Sequence, residues 1–423
     1  MRRLFGLVLL TALLAACAAP TAPAAPAATS PAQVPVTGPT TAPTVAMPPT
    51  PTTGMKMSPT AAMTMAPTQA MQMTAEPTQA IMPSQPAMGP TTPAASGSGS
   101  GVGYTVLVGA EDVSQGAEIE AFFPSTLHVH VGDKVTFKQN ANEIHTVTFL
   151  AGQQSPQFIL PMPGAPQGAV MFNPMAAFPA GSQNGQYDGS AVAGSGIMGM
   201  GQGQVPSFNL TFTKPGTYAY ECVIHSAMKM SGTVVVDDPS ASIPTPDQVT
   251  AQAQLDVTAA LAKVPAVVTA AQNQMKPAVK NADGSMTHYV TVGYEDGQVD
   301  LMSFFPKNVV VKSGDTVTWE FSPKDMAPHT ITFLNGADEP PLVKVIPQSS
   351  GAPILTFDPG VALPQNAGQA LTNQGIYSSG VIDPAAPGPH TFSIKIGALQ
   401  EVTEFECLLH DTDGMKGTLT VAP

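Results

Sequence analysis

Short segments in which hydrophobic and polar residues alternate recur from residue 104 onward. Tyr104–Val108, His145–Phe149 and Gly232–Val236 follow this pattern, and turn-forming pairs such as Gly132-Asp133 separate such segments. A period of two places alternate side chains on opposite faces of a strand, and short strands with frequent Gly/Pro turns are typical of β-sandwiches. The pattern therefore predicts an all-β unit over residues 104–236.

The same pattern occurs again over residues 288–423. Phe304-Phe-Pro306 matches Phe122-Phe-Pro124, and Gly417–Val421 matches Gly232–Val236. Matches at corresponding positions along two long segments indicate an internal duplication of a whole domain.

Two further segments have a different character. Residues 18–103 consist mainly of Pro, Ala, Thr and Met, a composition that cannot bury a core, so we expect a disordered tether. Residues 151–205 are rich in Gly, Pro and Met, and we expect them to form a long loop over one edge of the first sandwich.

Residues 237–287 are predicted to be a helical connector. Thr245 is a good helix cap, with a proline just inside the helix. The apolar spacing predicts a helix up to Lys263, a break at Pro265 and a second short helix to Gln274.

Charge and cysteine usage narrow the range of functions. Charged residues make up only 11 % of the 423 residues, and the formal net charge is -13 at pH 7. Nucleic acid is therefore not expected as a partner, because little in the chain would neutralise phosphates. The chain has three cysteines. Cys17 ends the N-terminal segment, and Cys222 and Cys407 lie in the two candidate metal sites described below, which leaves none for a disulfide.

Residues 1–17 predict an export signal. Arg2 and Arg3 precede an apolar run, Leu4–Leu14, that is too short to span a bilayer. The run ends in Leu-Ala-Ala-Cys17, which resembles the lipobox of bacterial lipoproteins. That resemblance implies cleavage before Cys17 and lipidation there, and hence a chain anchored to the cell membrane in the periplasm or at the outer face. The alternative is an ordinary signal peptide with an incidental cysteine.

Methionine pairs repeat every eight residues within the tether, at Met55-Lys-Met57, Met63-Thr-Met65 and Met71-Gln-Met73. Thioethers are soft ligands that suit Cu(I), so one interpretation is a weak copper-collecting arm. The other is a low-complexity repeat that spread without a function.

Both units carry the same four residue types in the same order. An isolated histidine is followed, much later, by a cysteine, a histidine three residues on, and a methionine five residues after that. Two imidazoles, a thiolate and a weak axial thioether form the ligand set of electron-transfer copper sites. The candidate ligands are His145, Cys222, His225 and Met230 in the first unit and His329, Cys407, His410 and Met415 in the second.

With these motifs, each unit resembles a cupredoxin of the plastocyanin/azurin type. The resemblance rests on the Phe-Phe-Pro strand, the Gly-Asp turn, the isolated histidine and the Cys-x-x-His-x-x-x-x-Met-x-Gly loop. It implies two tandem Greek-key β-sandwich domains, each holding one type 1 copper ion on the four residues named above.

The motif leaves some choices open. Thr146 and Thr330 follow the first histidine where many relatives carry Asn, although a hydroxyl can still bridge to the ligand loop. Met228 competes with Met230 as the axial ligand, and the second unit favours Met230 because only Met415 stands in its loop. Zinc also binds Cys and His, but an axial methionine argues against it.

Two groups of surface candidates have competing interpretations. His128 and His130 face the same way on a strand, either as two solvated histidines or as a surface metal site. Acidic residues crowd the second ligand loop, either as a solvated face or as a docking patch for a basic redox partner. They are Glu404, Glu406, Asp411 and Asp413.

Together these features predict an extracytoplasmic blue copper protein that carries single electrons between redox protein partners, without a small-molecule substrate. Multicopper oxidases and nitrite reductases need additional His-rich copper sites, and four of the eight histidines here are already assigned. The alternative function is copper storage, scavenging or delivery. It draws on the tether and on the methionines of the 151–205 segment, which are Met162, Met171, Met175, Met198 and Met200.

Overall fold

The computed structural model describes residues 101–162, 170–181, 185–199, 207–386, 388–400 and 402–422. The predicted signal peptide, Cys17 and the methionine pairs of the tether lie outside these ranges. Of the helices within them, none is both long and apolar enough to cross a membrane.

Short strands dominate the first half of the described chain, as the alternation predicts. In Thr126–His130, for example, Leu127 and Val129 are buried while their neighbours are partly exposed. The elements of this half are β1 (Gly103–Asp112), β2 (Ala117–Phe123), β3 (Thr126–His130), β4 (Lys134–Gln139), β5 (Thr148–Phe149), β6 (Ile159–Pro161), β7 (Val170–Phe172), α1 (Pro174–Ala177), β8 (Gln186–Tyr187), β9 (Ala193–Gly194), β10 (Ser207–Phe212), β11 (Gly216–Glu221) and β12 (Ser231–Asp237).

These elements form two layers, called here the first sandwich. One sheet has the order β3-β12-β11-β5-β9, and the other contains β2-β1-β4-β10-β8. Phe137, Phe149 and Tyr220 pack between the layers with ring centroids 5.0 to 5.8 Å apart. The predicted β-sandwich is thus confirmed.

The connector consists of α2 (Pro246–Leu261) and α3 (Val264–Gln272), which confirms the predicted helices. The Thr245 hydroxyl accepts a hydrogen bond from the Gln248 N–H, and the Gln248 side chain accepts one from the Thr245 N–H. Helix α2 ends at Leu261, not at Lys263. Pro265 lies in the first turn of α3, where its missing N–H removes no helical hydrogen bond.

The second half contains the same kinds of elements in the same arrangement. Its smaller sheet has the order β16-β24-β23-β18-β21, which corresponds strand by strand to the smaller sheet of the first sandwich. The elements are β13 (Val279–Lys280), β14 (Met286–Asp296), β15 (Val299–Phe305), β16 (Asn308–Val311), β17 (Thr316–Phe321), β18 (Thr332–Phe333), β19 (Val343–Ile346), β20 (Ile354–Phe357), α4 (Pro359–Ala362), β21 (Tyr377–Ser378), β22 (Thr391–Lys395), β23 (Val402–Glu406) and β24 (Lys416–Val421). We call β14–β24 the second sandwich.

The two sandwiches share one sheet. Strand β15 pairs antiparallel with β2, with Asp300 opposite Glu118, and so joins the larger sheets of both halves. Every residue of β2 and of β15 is buried. One reason is that α2 and α3 cover one face of this joint, where Val267 and Ala271 pack with Ile119 and Leu301.

The described part of the 151–205 segment is not the simple loop that its composition suggested. It contains β6–β9 and α1, and its β8 and β9 extend the two sheets of the first sandwich. The β6–β7 hairpin also contacts its counterpart in the second sandwich, because Phe172 meets Phe357 edge to face at 4.9 Å.

Candidate metal centres

Three buried side chains of the first sandwich converge on one point. The Nδ1 atoms of His145 and His225 lie 3.2 Å apart, and the Cys222 Sγ lies 4.0 Å from the first and 3.5 Å from the second. Cys222 and His145 are fully buried and His225 nearly so. A thiol and two imidazoles so arranged present one sulfur and two nitrogens to a common centre.

The second sandwich repeats this geometry. The Nδ1 atoms of His329 and His410 lie 2.9 Å apart, and the Cys407 Sγ lies 3.7 Å and 3.5 Å from them. Each set satisfies the distance requirement for holding one metal ion, and the soft sulfur with two imidazoles fits copper.

The ligand loops adopt the same backbone conformation. The Cys222 N–H donates to the Met230 carbonyl at 3.0 Å, and the Cys407 N–H donates to the Met415 carbonyl at 3.0 Å. Before each methionine the chain turns through a left-handed residue, Lys229 (φ 62°) or Gly414 (φ 84°). The cysteine, the second histidine and the methionine are therefore fixed largely by a short local loop.

Thr146 and Thr330 do bridge to the ligand loops, as their hydroxyls allowed. The Thr146 Oγ1 accepts a hydrogen bond from the Val223 N–H at 2.8 Å, and the Thr330 Oγ1 accepts one from the Leu408 N–H at 2.8 Å. The Thr146 N–H also points at the Cys222 Sγ, 3.3 Å away. These bonds tie the histidine strand to the cysteine and restrict movement of the sulfur.

The first histidine of each site is held by the segment that leads to the cysteine. His145 and Met198 exchange backbone hydrogen bonds of 2.7 and 3.2 Å, and His329 pairs with Ile382 in the same way. Met198 is buried in the core of the first sandwich, so it is a structural side chain and not an accessible copper ligand.

The structure separates the two candidate axial methionines. Met230 is fully buried in the core of the first sandwich together with Cys222. Met228 belongs instead to the buried core of the second sandwich. This placement favours Met230, which the second sandwich matches with the buried Met415.

The two candidate metal sites differ in the carboxylates that lie beside them. In the first sandwich a Glu120 oxygen lies 2.8 Å from the His225 Nδ1. Burial alone would raise the pKa of Glu120, but the imidazoles of His225 and His145 lower it. Met302 occupies the corresponding position of the second sandwich and is buried in its core.

The two thiols differ accordingly. Burial would raise the pKa of Cys222, yet the adjacent His225 and His145 lower it to about 5. In the second sandwich burial raises the pKa of Cys407 to about 12. Burial also lowers the pKa of His329 to about 3.

Several buried acids near the sites were not among the predicted residues. Asp325 places a carboxylate oxygen 3.1 Å from the His329 Nε2, and Glu143 lies 3.7 Å from the His225 Nε2. Glu120 had a sequence signal, because it and Glu118 are alternate residues in an otherwise apolar strand. Glu143, two residues before His145, had none.

The acidic residues around the second ligand loop do not share one surface. Asp413 is buried against the first sandwich, where it lies in a cluster with Glu111 and Glu118. Glu404 is exposed, and Glu406 pairs with Lys416 at 2.8 Å. The docking patch could therefore include only part of the predicted set.

His128 and His130 have separate partners. The His128 Nδ1 lies 2.7 Å from an Asp237 oxygen, and the His130 Nε2 lies 3.2 Å from the Ala241 carbonyl. Within the described ranges, neither His128 nor His130 lies in a cluster of side chains that could hold a metal ion.

Comparison with known proteins gives a family for the first sandwich. Residues 110–237 match the family described as copper binding proteins, plastocyanin/azurin family, which confirms the predicted resemblance. No curated protein matches the chain.

Similar solved structures include a mutant of amicyanin in the Cu(I) form and the oxidised plastocyanin of Dryopteris crassirhizoma. The amicyanin is 24 % identical over 32 % of this chain and 82 % of its own, with a TM-score of 0.19. The plastocyanin is 22 % identical over 31 % of this chain and 99 % of its own, with a TM-score of 0.18. The assignment therefore rests on the family match, the strand order and the ligand geometry.

Proposed function

We propose that this chain is a blue copper protein that carries single electrons between redox protein partners through two copper sites. The observation that carries the proposal is the convergence of one thiol and two imidazoles in each sandwich, at matching distances. Copper bound at such a set supplies a one-electron Cu(II)/Cu(I) couple.

The chain's own residues would favour rapid electron exchange. The thiol and imidazoles already face one another, and the hydroxyls of Thr146 and Thr330 hold the loops that carry them. A rigid, buried ligand set changes little when the charge of the metal changes, and it excludes water that would otherwise have to reorganise.

We also propose that the chain works outside the cytoplasm, anchored through a lipid on Cys17, and that it has no small-molecule substrate. The N-terminal sequence supports the location and the lipid anchor. The burial of both sites supports the lack of a substrate, since a substrate would need access to the metal. Copper storage or delivery is the competing function.

The test is a visible absorption spectrum and a copper count on the full chain loaded with Cu(II). We expect two coppers per chain and an intense thiolate-to-copper band that bleaches reversibly on reduction with the copper retained. The variants Cys222→Ser and Cys407→Ser should each lose one copper and part of the band. A colourless protein that retains copper only as Cu(I), or that takes up zinc instead, would support storage or delivery and reject the electron carrier.

A further inference from the structure

The second histidine of each site points its outer edge at the same carboxylate. The Glu143 Oε1 lies 3.7 Å from the His225 Nε2, and the Glu143 Oε2 lies 3.7 Å from the His410 Nε2. All three side chains are at least nine-tenths buried. Glu143 therefore lies between the two sites, at the boundary of the two sandwiches.

The two sandwiches are held together near Glu143 by several contacts. The β2–β15 ladder is extended by a hydrogen bond from the Glu120 N–H to the Gln298 carbonyl at 2.8 Å. Met228, from the ligand loop of the first site, is inserted into the core of the second sandwich. Phe172 and Phe357 make a further contact between the two halves. His225 and His410 therefore lie on opposite sides of Glu143 as part of an extensive interface between the sandwiches.

The chemistry of the imidazoles suits the carboxylate. With copper held by the two Nδ1 atoms, each ring would carry its proton on Nε2, and both Nε2–H groups would be donors. One oxygen of the Glu143 carboxyl faces each of them. The distances of 3.7 Å exceed a hydrogen bond, and a small approach of the side chains would form both.

We propose that electrons pass between the two sites inside the chain, through His225, Glu143 and His410. This inference rests on the proposed function. With copper held by both ligand sets, one electron would pass from a Cu(I) site, leaving it as Cu(II), to a Cu(II) site, which would become Cu(I). No bond forms or breaks and no proton leaves the chain.

Burial of the histidine edges supports an internal route. His225 is 7 % exposed and His410 5 % exposed, so an external protein has little access to either ring. The outer edge of each ring instead faces the other sandwich, with Glu143 between the two rings. Electron tunnelling weakens exponentially with distance, and a side chain between the two rings provides a better route than an empty gap.

The asymmetry between the halves fits a shared bridge. The residue two positions before the first histidine is Glu143 in the first sandwich and Ala327 in the second. One carboxyl with two oxygens suffices to face both histidines, so the second sandwich needs no counterpart of Glu143. Ala327 is itself buried, so the fold accommodates alanine at this position.

The experiment measures intramolecular electron transfer after a pulse that reduces one site. A Met230→Gln background makes the sites distinguishable, because the axial ligand changes the spectrum and the potential. We expect a first-order phase whose rate is independent of protein concentration. Glu143→Ala should slow it severalfold. Glu143→Gln should slow it less than Ala, because the amide still fills the gap and its one oxygen can accept from one imidazole N–H, whereas its NH2 cannot accept from the other.

Glu118→Gln is the matched control, because it removes a buried carboxylate of the same interface that lies outside the proposed route. The rate should be unchanged in that variant. Pulsed dipolar EPR on the oxidised proteins checks that the distance between the coppers is preserved. If Glu143→Ala alters the distance between the coppers, the rate in the Glu143→Gln variant decides whether Glu143 carries the electron, provided that this variant keeps the original distance.

An internal rate that is the same with Glu, Gln and Ala at position 143 would overturn the inference. If both sites are nonetheless blue and cycle reversibly, the electron-carrier function stands without the bridge. If the sites are colourless, the failure belongs to the proposed function and not to Glu143.

Discussion

Glu118 and Asp300 lie directly opposite each other in the ladder that joins the two sandwiches, and both side chains are buried. In the described part of the chain, neither Asp300 oxygen has a hydrogen-bond partner. Burial is the main cause that raises the pKa of each acid, and neighbouring carboxylates add to it. The charged groups near Glu118 are Asp413, Glu120, Glu143 and Glu111, and those near Asp300 are Asp325, Glu120, Glu295 and His225.

The first prediction concerns the pH dependence of stability. Because the folded state raises these two pKa values, it holds the protons more tightly than the unfolded chain. The contribution of these protons to the stability of the folded state is complete below the pKa of the unfolded chain, about 4, and is lost as the pH rises through the pKa of the folded state. Glu118→Gln and Asp300→Asn cannot ionise, so each should raise the Tm of the apo chain more at pH 9 than at pH 5.

The exposed Asp338→Asn variant is the control for this measurement, and it should shift the Tm little at either pH. Equal shifts at both pH values in the Glu118 and Asp300 variants would show that these acids do not titrate in the interface.

The second prediction assigns the axial ligand. In a Cys407→Ser background, which leaves only the first site, Met230→Leu should change the visible spectrum and the reduction potential of the copper-loaded chain. Met228→Leu should leave both unchanged, because Met228 packs against the second sandwich. The reverse result would make Met228 the ligand.

The third prediction tests the threonine bridges. Thr146→Val keeps the shape of the side chain but leaves the buried Val223 N–H without its acceptor, which should cost about 1–3 kcal/mol of unfolding free energy. Thr330→Val should behave in the same way through Leu408. Urea denaturation of the apo chain measures the effect.

Thr250→Val provides the comparison, because its hydroxyl bonds to the Pro246 carbonyl on the exposed face of α2. Its cost should stay within about 0.5 kcal/mol. A cost for Thr146→Val no larger than that of Thr250→Val would show that the bridge adds nothing to stability.

The fourth prediction concerns the joint between the sandwiches. Leu301 is fully buried in the cluster formed by β2, β15 and the connector helices. Leu301→Ala should lower the unfolding free energy by about 2–5 kcal/mol, since it removes apolar contacts and leaves a cavity. Leu255→Ala, at a residue 64 % exposed on α2, should change it little. Similar losses in the two variants would contradict a packed joint at Leu301.

Much of each site follows from local sequence. Cys222, His225 and Met230 lie within one short loop, so their spacing largely fixes their geometry once a strand ends at the cysteine. His145 is distant in sequence, yet it could be named because an isolated histidine before an alternating strand recurs at His329. Alternation also predicted the strands, because a half-buried sheet imposes a period of two on the chain.

The connector and the long segment before Cys222 were less predictable. The capping box of Thr245 is a local signal and gave the start of α2. The boundary between the helices is not local in this way, because α2 packs on β1 and β2 whereas α3, which contains Pro265, packs on β14 and β15. The strands β8 and β9 are too short to show a period, and they form only because neighbouring strands offer them hydrogen-bond partners.

The sequence by itself determined two ligand sets, a β-sandwich architecture and a helical connector, because each depends on residue types at short or repeated spacing. Only the tertiary structure decided that Glu118, Glu120 and Asp300 are buried. A strand with alternating glutamates normally has one face in water. Here the connector helices cover the Ile119 face of β2, and the glutamate face is turned toward His225 and Asp413. The meeting of Glu143 with His225 and His410 has the same origin, because it arises where the two halves of the chain come into contact and no local pattern encodes that contact.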